Sequence, residues 1–169
     1  MDRIQQLAAQ INDRLKDAGT PTIAVAESCS GGGVASAVTA NSGSSTYFLG
    51  SIVAYVNDAK AQLLGVPQEI LDDRGAVSPE CAVAMATGAR AAFGADLGVS
   101  TTGIAGPTGA TDRKPVGLVY LALVSARGSR VVEHRFSGDR ASITRSAIQA
   151  ALSMLTEELD MLTDSDPSH

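Results

Sequence analysis

The sequence predicts an α/β fold, a single-domain three-layer sandwich in which helices cover both faces of a mixed β-sheet of about five strands. Early in the chain, short apolar runs of strand length alternate with segments that repeat apolar residues at helical spacing. Late in the chain, two strand-like runs follow each other as a hairpin. The 169 residues show no internal repeat and no linker. One domain is therefore expected over 1–169, with its core at about 4–159 and a polar tail at 163–169.

Each helix is predicted from a stripe of apolar residues between a capping residue and a stop signal. The clearest case begins at Ser78, where a capping hydroxyl precedes Pro79 in the first turn, and ends before Gly94. Helices are expected over residues 2–18, 34–38, 57–64 (capped by Asn57 or Asp58), 67–71, 79–93 and 140–162. Strands are expected where β-branched and apolar residues cluster between turn residues, over 22–26, 47–56, 96–101, 118–124 and 129–136.

The composition argues against several classes of function. The net charge of −5 does not suit a general affinity for nucleic acid, which needs a basic surface. Two histidines, and two cysteines without metal-ligand spacing, predict neither a metal site nor another cofactor. No apolar run approaches the ~20 residues of a membrane span, and the first residues do not resemble a secretory signal, so a cytoplasmic location without membrane partners is expected. The sequence leaves open whether the chain forms a homo-oligomer.

A glycine-rich turn links the first predicted strand to the next helix. Residues 27–33 read Glu-Ser-Cys-Ser-Gly-Gly-Gly, and glycines let the backbone turn tightly and approach a ligand. The free N–H groups at a helix start suit an anion such as a phosphate, which makes Ser30, Gly31 and Gly32 candidate substrate-binding residues. A tight turn with a capping serine explains the same pattern equally well. The residues alone keep both interpretations open.

A serine and a lysine in neighbouring segments are the favoured catalytic pair. Ser45 lies in a Gly-Ser-Ser turn at 43–45, and Lys60 lies one turn inside a predicted short helix, past Tyr55. A serine needs a base before it can attack, and burial near a helix start would lower the pKa of a lysine from ~10.4 towards that role. Tyr55 would relay a proton or orient the lysine. Backbone N–H groups at 43–45 or at 102–103 are the alternatives for an oxyanion hole.

Cys29 is the rival nucleophile, since a thiol at a helix start has a lowered pKa. The two histidines, His134 and His169, lie far from it in the sequence, so no Cys–His pair is indicated. They are also badly placed for a serine-protease triad, which leaves Ser–Lys chemistry as the economical hydrolase. The simpler interpretation makes Cys29 a small packed residue under the turn, and Cys81 a plain core residue of its helix.

Seven motifs occur in order along the chain. They read AESCSGG from Ala26, GSS from Gly43, YVNDAK from Tyr55, GAVS from Gly75, TGIAGP from Thr102, KPVG from Lys114 and FSGDR from Phe136. In this order they closely resemble the CinA C-terminal domain family, over about residues 4–159. Three positions depart from the family's usual pattern, with Ser30 in place of Thr, Val56 in place of Ser and Ala110 in place of Gly.

The resemblance implies an activity, because stand-alone members of the family are nicotinamide mononucleotide deamidases, which release ammonia and leave nicotinate mononucleotide. It implies a serine amidohydrolase without metal, with Ser45 as nucleophile, Lys60 as base, and Tyr55 and Ser28 in support. Further substrate-binding residues are expected at Ser44, Thr102, Gly103, Gly106 and Arg140.

The expected substrate is a small anion, so the positive field that binds it must be local in this acidic chain. Arg140 or Lys114 is the cation expected beside its phosphate. Two other functions stay open at this stage: a nucleotide-binding module that regulates or joins a partner without chemistry, and an amidase for another small amide.

Overall fold

The computed structural model describes residues 1–17 and 19–164, and the sheet within that part of the chain has five strands. The strands are β1 (Ile23–Glu27), β2 (Phe48–Val53), β3 (Leu97–Gly103), β4 (Leu118–Ser125) and β5 (Gly128–Arg135). Their spatial order is β2-β1-β3-β4-β5. β1 runs parallel to both of its neighbours, whereas β4 runs antiparallel to β3 and to β5. The sheet is therefore mixed, as the sequence predicts.

Helices cover both faces of the sheet. They are α1 (Arg3–Leu15), α2 (Gly33–Thr39), α3 (Asn57–Leu64), α4 (Gln68–Asp73), α5 (Pro79–Phe93) and α6 (Arg140–Asp164). Apolar residues of α1, α2 and α6 form one core with the first face, and those of α3, α4 and α5 form a second core with the other. A Cβ atom at Gly98 would lie 2.2 Å from the carbonyl oxygen of Ala86, so α5 and β3 approach as closely as glycine allows. The three-layer α/β prediction is confirmed.

Two helix ends differ from the predicted ones. α1 starts with a capping box between Asp2 and Gln5 and ends at Leu15, short of the predicted end at residue 18, which lies outside the described residues. α6 continues to Asp164, past the predicted start of the polar tail, because apolar positions keep it packed against the core as far as the last turns. Residues 165–169 lie outside the described part of the chain.

The boundary between β2 and α3 also differs from the prediction. β2 ends at Val53, which pairs with Glu27 at the end of β1, so the strand is shorter than the predicted 47–56. Neither Asn57 nor Asp58 caps α3, because Val56 occupies the N-cap position and makes no side-chain capping bond. After Val53, the N–H of Ala54 donates to the carbonyl of Glu27 at 2.9 Å, and the chain then enters α3 at Asn57.

The three parallel strands determine which loops meet. Because β1, β2 and β3 point the same way, the segments that follow them, 28–32, 54–56 and 104–117, lie at one edge of the sheet. The short 3₁₀ helix Ser44–Thr46 precedes β2 and lies at the opposite edge. There the carbonyl of Tyr47 accepts a hydrogen bond of 2.7 Å from the N–H of Ile23, at the start of β1.

Candidate functional site

A pocket of about 280 Å³ opens at the edge where the parallel strands end. Its walls come from the turn after β1, the start of α3, the segment before α5, the loop after β3 and the start of α6. The lining residues are Ser28, Cys29, Tyr55, Asn57, Lys60, Ala76, Val77, Thr102, Gly103, Ile104, Ala105, Gly106, Thr108, Gly109 and Arg140. Five segments that are distant in the sequence therefore converge on one cavity.

Lys60 is the buried cation at the base of this pocket, with 1% of its surface exposed. Its Nζ atom donates hydrogen bonds to the Oγ atom of Ser28 at 3.1 Å and to the carbonyl oxygen of Tyr55 at 3.0 Å. Burial lowers the pKa of Lys60 from its ordinary value, because the ammonium loses its hydration. A lysine in this state can act as a base towards the hydroxyl that it contacts.

Ser28 is held in place by the sheet. Its N–H donates to the carbonyl of Thr101 at 3.0 Å, which extends the β1–β3 ladder by one rung beyond the end of β1. Only 7% of its surface is exposed, and its hydroxyl lines the pocket beside Lys60. The sequence-based prediction gave Ser28 a supporting role, yet it is the serine that the fold brings into contact with the lysine.

Ser45, by contrast, lies at the opposite edge of the sheet. It is exposed, in the 3₁₀ helix that precedes β2, and the neighbouring hydroxyl of Thr46 donates to the carbonyl of Leu15 at 3.4 Å, at the end of α1. The full length of β2 separates this turn from the pocket. The prediction that Ser45 and Lys60 form a pair is therefore wrong, and Ser44 is equally remote from the pocket. Proximity in the sequence was misleading, because β2 lies between Ser45 and Lys60 and spans the sheet from one edge to the other.

The first glycine-rich turn is organised around the buried carboxylate of Glu27. This carboxylate accepts from the N–H groups of Gly32 (3.0 Å), Val34 (3.0 Å) and Ala35 (2.9 Å), and from the hydroxyls of Ser30 (2.7 Å) and Ser51 (3.3 Å). The donors at the start of α2 therefore already hold an anion that belongs to the protein itself.

This arrangement corrects the prediction that Ser30, Gly31 and Gly32 bind the substrate. The hydroxyl of Ser30 is engaged with Glu27 and with the hydroxyl of Thr101, at 2.6 Å, and the N–H of Gly31 donates to the carbonyl of Ser28. None of the three lines the pocket. The free N–H groups expected from the sequence are used to shape the turn instead.

Arg140, at the start of α6, spans the mouth of the pocket. Its Nη2 atom donates to the hydroxyl of Tyr55 at 2.6 Å and its Nη1 atom to the carbonyl of Gly106 at 2.8 Å. Lys114, the other candidate cation, donates to the carbonyl of Arg74 at 2.5 Å and does not line the pocket. Among the ion pairs of residues 1–17 and 19–164, none involves Arg140. Its charge is therefore available at the mouth.

The end of β3 and the loop that follows it supply another wall of the pocket. Thr102, Gly103 and Gly106 all line the pocket, and their predicted role in substrate binding stays a prediction. The hydroxyl of Thr102 donates to the carbonyl of Ala76 at 2.7 Å. That bond ties β3 to the segment before α5, so the hydroxyl has a structural use. None of the three departures from the family pattern, Ser30, Val56 and Ala110, lines the pocket.

Two side chains of the site were missed by sequence reasoning. Glu27 ends an apolar run and was treated only as the boundary of a strand. The signal for its role was a single acidic residue directly before a glycine-rich turn, since the N–H groups at the start of the next helix favour a negative charge. Asn57 lines the pocket from the first turn of α3, and its place between Tyr55 and Lys60 in one motif was the signal for it.

Both cysteines are buried. Cys29 lines the pocket but is only 7% exposed, and burial raises the pKa of its thiol to about 11. Cys81 lies fully in the core, where burial likewise raises its pKa to about 11, and its prediction as a core residue is confirmed. A raised pKa suppresses the thiolate, which is the reactive form. The expectation that Cys29 is a small packed residue agrees with its burial.

In the described part of the chain, no group of His, Cys, Asp and Glu side chains could hold a metal ion. None of the helices there is both long enough and apolar enough to cross a membrane.

The fold and the site define a class of protein: an α/β protein with a buried serine–lysine contact at the carboxyl edge of its parallel strands. The CinA C-terminal domain model matches residues 4–159. The chain belongs to this family, which confirms the resemblance seen in the motifs.

Known proteins support the assignment. A CinA-like protein of Geotalea uraniireducens is 51% identical over 138 residues, covering 82% of this chain and 33% of the relative. One from Koribacter versatilis is 43% identical over 175 residues, covering 92% and 42%. The chain thus spans about a third to two fifths of these curated relatives. The crystal structure of competence/damage inducible protein CihA from Agrobacterium tumefaciens is 39% identical, with a TM-score of 0.88 and coverage of 95% of this chain and 97% of that one.

Proposed function

We propose that this chain is an amidohydrolase that removes the carboxamide nitrogen of nicotinamide mononucleotide as ammonia and leaves nicotinate mononucleotide. The observation that carries the proposal is the 3.1 Å contact between the Nζ atom of buried Lys60 and the Oγ atom of Ser28, at the base of a cavity. Such a pair supplies a nucleophile and its base without a metal. The substrate is proposed from the resemblance to deamidases of the same family.

In this proposal Ser28 is the nucleophile, the role predicted for Ser45 from the sequence alone. The hydroxyl oxygen of Ser28 attacks the carboxamide carbon while neutral Lys60 takes its proton, which gives a tetrahedral intermediate. When the carbon–nitrogen bond breaks, Lys60 returns that proton to the leaving nitrogen, and an acyl-enzyme and ammonia result. Lys60 then takes a proton from the water that attacks the ester, and it gives that proton to the oxygen of Ser28 as the ester bond breaks and the acid is released. Tyr55 supports the pair through its carbonyl, which accepts from Lys60 at 3.0 Å.

The positions of the charged groups orient the substrate. The start of α2 is filled by the carboxylate of Glu27, so it does not bind the phosphate. Arg140 carries a charge without an ion-pair partner among the described residues, and its present hydrogen bonds are to a hydroxyl and a carbonyl. The phosphate therefore lies towards Arg140 at the mouth, and the carboxamide points down to Ser28 and Lys60.

Ammonia release from nicotinamide mononucleotide by the purified protein tests the function, with the Ser28→Ala variant as the control for contaminating activity. We expect release by the wild type and none by the variant. Binding of the nucleotide without release would establish a non-catalytic module instead. Faster release from other small amides would establish a different amidase. The cytoplasmic location expected from the sequence stays a prediction.

Calorimetry tests the orientation of the substrate separately from turnover. The Ser28→Ala variant should bind nicotinamide mononucleotide far more tightly than the nucleoside without phosphate. Adding Arg140→Gln should remove most of that difference, since the phosphate loses its cation. Arg113 lies on the exposed part of the loop after β3, so Arg113→Gln is the matched control and should preserve the difference. Equal affinities for the nucleotide and the nucleoside would contradict the proposed phosphate site.

A further inference from the structure

Gly103 carries a backbone N–H group that faces the end of β1 beside Ser28. In parallel pairing, alternate residues of one strand face the same neighbour. Leu97 donates its N–H to the carbonyl of Thr22 (2.9 Å), and Thr101 accepts from the N–H of Ser28 (3.0 Å), so both residues of β3 face β1. Gly103 follows two residues after Thr101 and faces the same way.

β1 offers no acceptor for this next rung of the ladder. The strand ends at Glu27, and the carbonyl of Ser28 would be the next acceptor in the register. That carbonyl accepts instead from the N–H of Gly31 at 3.1 Å, because the chain turns away into the glycine-rich turn. Outside the ladders of the strands, no backbone carbonyl of the described residues accepts from the N–H of Gly103, and its pairing with Val119 of β4 is of the non-hydrogen-bonded kind. Gly103 also lines the pocket.

The other backbone donors suggested by the sequence are excluded by position. Thr102 faces β4, since it is paired with Tyr120 and since the N–H of Ile104, two residues later, donates to the carbonyl of Leu118 at 2.9 Å. The Gly-Ser-Ser turn at 43–45 lies at the opposite edge of the sheet. Of the backbone N–H groups at 43–45 and 102–103, the N–H of Gly103 is therefore the one that faces Ser28.

We propose that the N–H of Gly103 stabilises the negative oxygen that forms when Ser28 attacks the carboxamide, an inference that rests on the proposed amidohydrolase function. As the bond from Ser28 Oγ to the carbon forms, the π electron pair of the carbonyl moves onto its oxygen, and Lys60 takes the proton of the hydroxyl. A fixed donor with no acceptor of its own binds that charge without reorganising the protein. The end of a strand, rather than a flexible loop, holds this donor in place.

Side-chain substitution cannot test this role. A Cβ atom at Gly103 would lie 2.6 Å from Cγ2 of Val119 and 2.7 Å from the carbonyl oxygen of Leu118, so even alanine would displace β4. The suitable change replaces Gly103 by glycolic acid during translation, which converts the N–H into an ester oxygen and adds no bulk. The matched control places glycolic acid at Gly128, which pairs with Ser125 at the far end of β4.

The ester at position 103 should lower kcat by about a hundredfold to a thousandfold, as the loss of one oxyanion donor does, while KM changes little. The ester at 128 should leave kcat near the wild-type value, and thermal unfolding should show that both ester proteins are folded. An ester protein at 103 with wild-type kcat overturns the role of Gly103 and leaves the proposed function intact. A wild type that releases no ammonia overturns both.

A second measurement needs no variant. An aldehyde in place of the carboxamide of the substrate should form a hemiacetal with Ser28 of the wild-type protein, and its oxygen occupies the position of the oxyanion. In a crystal structure of that adduct, the hemiacetal oxygen should lie about 3 Å from the nitrogen of Gly103. An oxygen directed away from Gly103 and held by another donor rules the inference out, whatever the kinetics of the ester proteins.

Discussion

The Nζ atom of Lys60 lies 3.1 Å from the Oγ atom of Ser28, although 32 residues separate them in the chain. The contact exists because β1 and β2 are parallel, so the turn after β1 and the segment that leads from β2 into α3 meet at one edge. Ser28 is fixed by a ladder hydrogen bond and Lys60 by its helix. Two separate elements of the fold thus hold the two side chains within hydrogen-bonding distance.

The choice between the two serines can be tested directly. Ser28→Ala should lower kcat at least about a thousandfold, because no other hydroxyl contacts Lys60 among the described residues. Ser45→Ala should keep wild-type activity, since this exposed serine lies at the opposite edge of the sheet. Rates of ammonia release at saturating nucleotide decide the matter. The reverse pattern, an inactive Ser45 variant and an active Ser28 variant, would return the nucleophile to the Gly-Ser-Ser turn.

If Ser28 and Lys60 act as one unit, the effects of removing them should not add. Lys60→Met should reduce kcat about as much as Ser28→Ala, and the double variant should be scarcely slower than the slower single variant. Lys60→Arg should also be nearly inactive, because a guanidinium does not release its proton at working pH. Single-turnover rates of these four variants, compared with that of the wild type, measure the losses. Multiplicative losses in the double variant, or substantial activity in Lys60→Arg, would mean that lysine is not the base.

The fold was predictable because its signals are local. Apolar periodicity gave the order and type of the elements, and the cap at Ser78, whose side chain accepts from the N–H of Cys81, marked the start of α5. The errors fell where an element depends on a partner strand. β2 is shorter than predicted because its pairing with β1 ends at Val53, and a single sequence does not reveal that register.

Part of the candidate site was predictable from the sequence, but the pairing of Ser45 with Lys60 and the substrate-binding role of residues 30–32 and 44 were not supported by the structure. Six of the residues predicted from the sequence line the pocket, and their catalytic or substrate-binding roles stay predictions: Lys60, Tyr55, Thr102, Gly103, Gly106 and Arg140. Ser45 does not line the pocket. It was paired with Lys60 because the two are close in the sequence, but β2 lies between them and places them at opposite edges of the sheet. The N–H groups at the start of α2 were expected to bind phosphate, but an internal carboxylate from Glu27 holds them, and only the three-dimensional arrangement shows which of two anions is bound.

Activity should rise with pH through the pKa of Lys60. The base must be neutral, so kcat should fall as the pH falls below that pKa and level off above it. Burial places this pKa below the ordinary 10.5 of lysine, so the inflection should lie well below that of a free amine. A pH–rate profile with saturating substrate measures it. A rate that is independent of pH up to 10, or an inflection at the value of free lysine, would contradict the assignment.

The same pKa predicts a stability effect. The unfolded chain binds a proton on Lys60 at higher pH than the folded chain does, so this residue makes stability rise with pH between its lowered pKa and 10.5. The raised pKa values of Cys29 and Cys81 act in the opposite direction above pH 9, so the quantity to measure is the difference between wild type and Lys60→Met. We expect this difference in unfolding free energy to shift in favour of the wild type from pH 7 to pH 10. A constant difference would mean that Lys60 keeps its ordinary pKa.

Cys29 should be dispensable for turnover. Burial raises the pKa of its thiol to about 11, so only about one molecule in ten thousand carries the thiolate at pH 7. Cys29→Ser should keep most of the activity, and iodoacetamide should inactivate the wild type slowly if at all. Cys81→Ser is the matched control for replacing a buried thiol in the core, and it reports the cost in stability alone. A folded but inactive Cys29→Ser protein would move the nucleophile to the neighbouring thiol.

Glu27 should be a residue of stability rather than of substrate binding. Its fully buried carboxylate accepts from three backbone N–H groups and from the hydroxyl of Ser30. In Glu27→Gln, an NH₂ group replaces one of the two accepting oxygens and faces N–H and O–H groups that also donate. The variant should therefore lose about 2 to 3 kcal/mol of unfolding free energy. Ser51→Ala removes only the longest contact to the carboxylate, at 3.3 Å, and should cost less than about 1 kcal/mol. Urea unfolding measures both losses.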